Sequence, residues 1–364
     1  MLKVKAAALA AAGLVAAVVA VPASASARVI RSATMRRRTS PDASVVGAEG
    51  ARMFNVRALA VAMCAVAAVA VGVPAAANAA LPVPYGTAGI TDFLTAELTA
   101  PTHVVGANNG CKPSSAHPYP VVLVHGTLED EGSNWVTLAP LLANNGYCVY
   151  AFNYGQTILS LGNRIDGLGD IAASAGQLSA FVNHVLAETG TSQVDIVGHS
   201  QGGMMPNYYI KFLGGASKVH TLIGLAPSNH GTTLSGLTTL LSQLPAPLPS
   251  LLTDLVNTVA PGLVQQEVNS PFETNLFASG DTVPGPRYVV IESTHDEVIT
   301  PYTNAFLSGP NVTNITIQNQ CPNDPTEHIG LIEDSPSLQN VVNQLSNTPN
   351  PAFTATCTNY GVGI

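Results

Sequence analysis

The stretch VDIVGHSQGG (194–203) constrains the fold more than any other in the 364-residue chain. Four mostly apolar residues run into Ser200, with Gly198 and Gly202 on either side. QGGMMPNYYIKFL then continues with helical character. A strand that turns at once into a helix needs a sharp bend, and the residue at the bend takes strained backbone angles. Its neighbours two positions away must then lack side chains, which predicts Gly198 and Gly202 as the elbow around an exposed Ser200 hydroxyl. At a helix N-terminus the dipole and free N–H groups favour developing negative charge.

The elbow needs a sheet behind it. Short apolar, β-branched runs at 120–124, 147–152, 194–197, 219–225, 288–292 and 314–317 read as strands. Helical patterns at 135–144, 171–188 and 337–345 lie among them. This alternation predicts an α/β fold with a mostly parallel central sheet and helices on both faces. Reactive groups then belong at the carboxyl ends of the strands.

Much of the 46% hydrophobic content lies outside this pattern, at the N-terminus. Residues 1–27 have two lysines, an Ala/Val/Leu run and a small-residue end, the layout of a signal peptide. Residues 53–79 repeat that layout. Residues 1–79 are therefore expected to be a leader region, removed near Ala79/Ala80, and 80–364 a single catalytic domain of a secreted protein. The leader holds nine of the 14 Lys and Arg and two of the 22 Asp and Glu. Beyond it, five basic residues face twenty acidic ones, a net of −15. Such a body repels nucleic acid and anionic membrane and suits neutral substrates. Four cysteines remain there: Cys111, Cys148, Cys321 and Cys357. An even count in an exported chain reads as disulfides, with three pairings open and sequence order favouring the two local closures.

A serine hydroxyl needs a base, normally a histidine held by a carboxylate. In this fold the chain order is serine, acid, histidine. Asp296 lies just past the 288–292 run, with Asp281 and Glu297 as competitors. His328 is the histidine that follows both Ser200 and Asp296. The oxyanion needs two donors. The backbone N–H of Gln201 is one, and that of Thr127, in the loop after the first strand, is the other. The Thr127 hydroxyl offers a third, and Gly126 lets the loop approach closely. His125 reads as a structural hydrogen-bonding group.

These residues resemble an extracellular lipase or esterase of the α/β-hydrolase superfamily. The chain is similar to secreted bacterial triacylglycerol lipases and, in places, to the fungal lipase-B type. The resemblance rests on HGT, SNW, GHSQGG, APSNHGTTLSG, STHDEVITP and EHIGL, over most of 105–345. It implies Ser200, Asp296 and His328 as the triad, Thr127 with Gln201 as the oxyanion hole, and pairing of Cys111 with Cys148 and Cys321 with Cys357. His125 departs from the proline of the lipase-B type. Some bacterial relatives bind calcium, but no aspartate arrangement matches that site. Glu129, Asp130 and Glu131 are expected to be a solvated acidic loop rather than a cation site, so no metal is assigned. No cofactor and no partner protein is implied.

Residues 234–264 are rich in Leu and Pro with one charge, Asp254. Leu251, Leu252, Leu255, Val256 and Val259 share a helical face. This predicts an apolar cap or lid segment at about 232–280, serving as an acyl pocket, a cover that meets an oil–water interface, or a packed cap. The expected activity is hydrolysis of carboxylic esters, lipid esters first, with a short-chain or polyester esterase, an acyltransferase, or a non-catalytic lipid-binding envelope protein as alternatives.

Overall fold

The computed structural model describes residues 79–86, 103–160, 162–233 and 256–361. Residues 1–78 of the expected leader and residues 234–255 of the expected cap segment, Leu251, Leu252 and Leu255 among them, lie outside the described residues.

Among the described residues, six strands form one parallel sheet. In chain order the elements begin with β1 (Val121–Val124), α1 (Glu131–Asn134), α2 (Leu138–Asn144), β2 (Val149–Phe152), α3 (Ile171–Thr189) and β3 (Val194–His199). Then come α4 (Gln201–Phe212), β4 (Val219–Leu225), α5 (Pro261–Gln265), α6 (Pro271–Phe277), β5 (Arg287–Glu292), β6 (Val312–Thr316) and α7 (Ser335–Leu345). The helix expected at 135–144 begins only at Leu138, and a separate short helix, α1, precedes the expected span. Asp130 starts α1 early, its carboxylate accepting from the N–H groups of Gly132 (2.6 Å) and Ser133 (2.9 Å). Likewise Asp334 caps α7, accepting from the Ser337 N–H at 2.8 Å, so that helix opens two residues before the apolar period suggests.

The strands are short and apolar because both faces are covered. Val122 and Val124 of β1 face one cluster with Ile196, Leu222 and Val290. Val121 and Leu123 face another with Val197, Ile223 and Ile291. This is the two-residue period of a strand, with apolar residues on both phases. α3 closes the first face with Ile171, Ala175, Leu178, Val182 and Val185, spaced four and three residues apart. Trp135, Leu138, Leu142, Leu338 and Val341 close the second.

The strand order is β2-β1-β3-β4-β5-β6. The chain steps from β1 outward to β2, then crosses back to place β3 on the other side of β1. The winding reverses between β1 and β3, where a parallel sheet leaves a crevice beyond its carboxyl ends. The loops issuing there carry Thr127 and Ser200. Cys111 is bonded to Cys148, and Cys321 to Cys357. The first bond ties the segment before β1 to the start of β2, and the second ties the chain after β6 to the tail beyond α7.

Candidate active site

Ser200 takes φ 53° and ψ −124°, a left-handed φ that a non-glycine residue rarely adopts. Close packing of the bend enforces it. A Cβ on Gly198 would lie 1.9 Å from the Gly202 carbonyl oxygen, and one on Gly202 would lie 2.1 Å from that of Val124. Register explains the second contact, since Gly198 pairs with Val124 at the end of β1. Ser200 donates its N–H to the Leu225 carbonyl at 2.9 Å, pinning the elbow to β4. α4 begins at Gln201, so the N–H groups of Gln201 and Gly202 have no partner within the helix.

Asp296 and His328 meet 32 residues apart in sequence. His328 Nδ1 lies 2.7 Å from Asp296 Oδ2, and both side chains are buried. The other carboxylate oxygen accepts from the N–H groups of Val298 and Ile299, each at 2.7 Å. Burial pushes the Asp296 carboxyl up, but the His328 charge and these bonds prevail and hold it below the ordinary range. A carboxylate only accepts, so His328 Nδ1 carries the proton and Nε2 is the basic nitrogen. The competing acids sit elsewhere. Glu297 is exposed, and Asp281 accepts from the Ser308 N–H and hydroxyl at 2.7 and 2.8 Å.

Thr127 stands against Gln201. Its Oγ1 accepts from Gln201 Nε2 and from Gln266 Nε2, each at 2.9 Å. Two amide donors occupy both lone pairs, so the hydroxyl hydrogen must be donated elsewhere. Gln266 is itself clamped: Nε2 also donates to the Gly262 carbonyl and Oε1 accepts from the Ser228 hydroxyl, each at 2.8 Å. No sequence signal marks Gln266, which lies 139 residues beyond Thr127 at the end of the apolar segment. In the described part of that segment α5 and α6 lie against the body. Leu276 joins the core, the Thr232 N–H donates to the Gln266 carbonyl, and the Val268 N–H donates to the Thr232 carbonyl.

The acidic run is not a solvated loop. Glu129, Asp130 and Glu131 are all buried. Glu129 meets His199, Asp130 caps α1, and Glu131 donates its backbone N–H to Asn153 Oδ1 at 2.7 Å while its carboxylate lies 2.9 Å from His103 Nδ1. Polar partners offset burial that composition alone argues against. Among the described residues no group of three His, Cys, Asp or Glu could hold a metal ion. Glu292, fully buried at the end of β5, is pushed well above its ordinary range by burial and by the Asp296 charge.

His125 stacks on Tyr154 with ring centroids 4.4 Å apart. Its Nδ1 lies 2.8 Å from the Gly126 carbonyl, so Nδ1–H donates, and Nε2 accepts from the Tyr154 N–H at 3.3 Å. Burial lowers its pKa to about 4. The unfolded chain therefore binds a proton that the native state refuses between pH 4 and an ordinary histidine pKa of about 6.5. This stability is present above that window and lost as pH falls through it, in total about 3 kcal/mol. Replacing His125 with Gln should flatten the pH dependence of the urea midpoint across that window. Retention of the wild-type slope would refute the assignment.

Residues 118–340 match the model of the family described as Lipase (class 2). The chain is 36% identical over 99 residues to a triacylglycerol lipase of Pseudarthrobacter phenanthrenivorans, covering 26% of this chain and 28% of that protein. It is likewise 36% identical over 99 residues to a triacylglycerol lipase of Burkholderia plantarii, covering 26% and 25%. The match thus spans about a quarter of the length of these curated relatives. Among solved structures the chain is similar in fold to Aspergillus fumigatus lipase B, with a TM-score of 0.52 at 21% identity, over 75% of this chain and 61% of that one. With the family match running from just before β1 into α7, the chain belongs to the class 2 lipases.

Proposed function

We propose that the chain is a serine hydrolase of carboxylic esters, acting on triacylglycerol-type lipid esters through an acyl-enzyme on Ser200. The observation that carries this reading is the strained Ser200 at the switch point of the sheet, in a molecule that also holds the buried Asp296–His328 pair at 2.7 Å. Ser200 Oγ attacks the ester carbonyl while His328 Nε2 takes its proton. The oxyanion is held by the N–H groups of Gln201 and Thr127 and by the Thr127 hydroxyl. Asp296 stabilises the imidazolium, which then protonates the leaving alcohol. Water, activated by the same nitrogen, releases the acid and restores Ser200.

Family membership and the triacylglycerol lipase relatives support the substrate class. We further read 1–79 as a leader cut near Ala79/Ala80, with 80–364 as the secreted catalytic part. Two disulfides support an oxidising destination. Protein recovered from the medium should begin near Ala80 by N-terminal sequencing, and a start elsewhere would refute the boundary.

The substrate reading is tested with a chain-length series of triglycerides below and above their solubility. Emulsified long chains should be hydrolysed faster than dissolved short ones. Turnover of dissolved short chains alone would make the protein an esterase.

A further inference from the structure

Two buried charged groups near the site have no part in the mechanism above. Glu129 follows Thr127 by two residues, and His199 directly precedes Ser200. Their side chains are 3% and 1% exposed, and they meet across 70 residues of sequence. Glu129 Oε2 accepts from the Gly126 N–H at 2.6 Å and lies 3.1 Å from His199 Nδ1. The other ring nitrogen, Nε2, lies 3.2 Å from the carbonyl oxygen of His328. The bare Cα of Gly126 makes room, since a Cβ there would lie 2.5 Å from Glu129 Oε2 and 3.0 Å from His199 Nδ1.

Donor logic fixes the protons. A carbonyl oxygen only accepts, so Nε2 carries hydrogen. An ionised carboxylate only accepts, so Nδ1 carries one too. The ring is then an imidazolium, paired and hydrogen-bonded as a buried charge must be. Asn134 Nδ2 lies 3.3 Å from Nδ1, and Asn134 Oδ1 has no partner. Turning that amide over would give the Nδ1 proton a second acceptor and the oxygen a donor. The other titratable groups facing His199 are His125, after β1, and Asp296 and His328, after β5 and β6. Burial pushes the two charges toward neutrality, but each partner holds the other charged: Glu129 below its ordinary range, His199 above it.

We propose that Glu129 and His199 form a buried carboxylate–imidazolium couple that positions the oxyanion loop and the His328 backbone relative to Ser200. One end grips the amide of Gly126, next to Thr127. The other grips the carbonyl of the base residue, and the ring between them is bonded in sequence to the nucleophile. Both are positioning residues, and their effect on activity rests on the hydrolase reading.

The test joins a spectrum to kinetics on the full chain. Nitrogen NMR with labelled histidine should show His199, assigned by its loss in His199→Phe, protonated at both nitrogens well above the ordinary histidine range. Glu129→Ala should lower kcat by roughly 10- to 100-fold with KM little changed, as small misplacements do. Glu129→Gln should recover most of that kcat. Its amide oxygen, in the place of Oε2, still accepts from the Gly126 N–H, while without the carboxylate charge the buried ring gives up its second proton, so the imidazolium signal vanishes. That rescue separates positioning from general destabilisation. A neutral His199 in the wild type, or wild-type kcat in a folded Glu129→Ala, would overturn the proposal. Equal inertness of wild type and Ser200→Ala would instead remove the hydrolase reading and the positioning role with it, while the spectrum would still decide whether the couple exists.

Discussion

Ser200→Ala is expected to abolish ester hydrolysis, by on the order of a million-fold in kcat, the scale measured when other serine hydrolases lose the nucleophile. Fluorophosphonate labelling should disappear with it. His328→Ala should cost a similar factor, and the double variant no more than either alone, because nucleophile and base act as one unit. Asp296→Asn should cost less, about 10⁴-fold. The asparagine oxygen keeps the bonds from Val298 and Ile299, so the loop stays in place. Its amide, however, donates to His328 Nδ1, which moves the ring proton to Nε2 and removes the base. Undiminished turnover in Ser200→Ala, or labelling that persists in it, would remove Ser200 from the mechanism.

The largest structural effect should come from a single methyl group at the elbow. Gly202→Ala places Cβ 2.1 Å from the Val124 carbonyl oxygen and 2.3 Å from that of His125. All of these atoms are backbone, so no side-chain rotation relieves the clash. Either the helix N-terminus moves off β1 or the elbow opens. We expect a loss above about 4 kcal/mol, in the tail reserved for overpacking and strain. Gly198→Ala, 1.9 Å from the Gly202 carbonyl oxygen, should do the same. Urea midpoints and near-ultraviolet circular dichroism read the outcome. A Gly202→Ala protein with the wild-type midpoint would contradict the packing described.

Much of the fold is legible in local pattern. Apolar residues on both phases of 121–124 and 194–197 announce strands buried on two faces, and the four–three spacing from Ile171 to Val185 announces a helix. The sharp turn at Ser200 is legible too, because the demand for small neighbours is a matter of backbone sterics within five residues. Chain order suffices to nominate Asp296 and His328, which the structure brings together.

Composition misleads where long-range pairing decides. Three consecutive acidic residues, 129–131, read as solvated, yet each is buried. His199 stands beside Glu129 only once β1 and β3 lie side by side, and His103 reaches Glu131 across 28 residues, whereas Asp130 is buried as the local cap of α1. Gln266 is equally silent in sequence and reaches Thr127 only because the turn after α5 packs beside the loop that follows β1. The sequence by itself determined the strand and helix periods and the elbow, since these follow from sterics and burial between near neighbours, and its chain order nominated the candidate triad. Tertiary structure alone decided which buried charges and amides support them, since a hydrogen bond across 70 or 139 residues depends on where the sheet brings its loops.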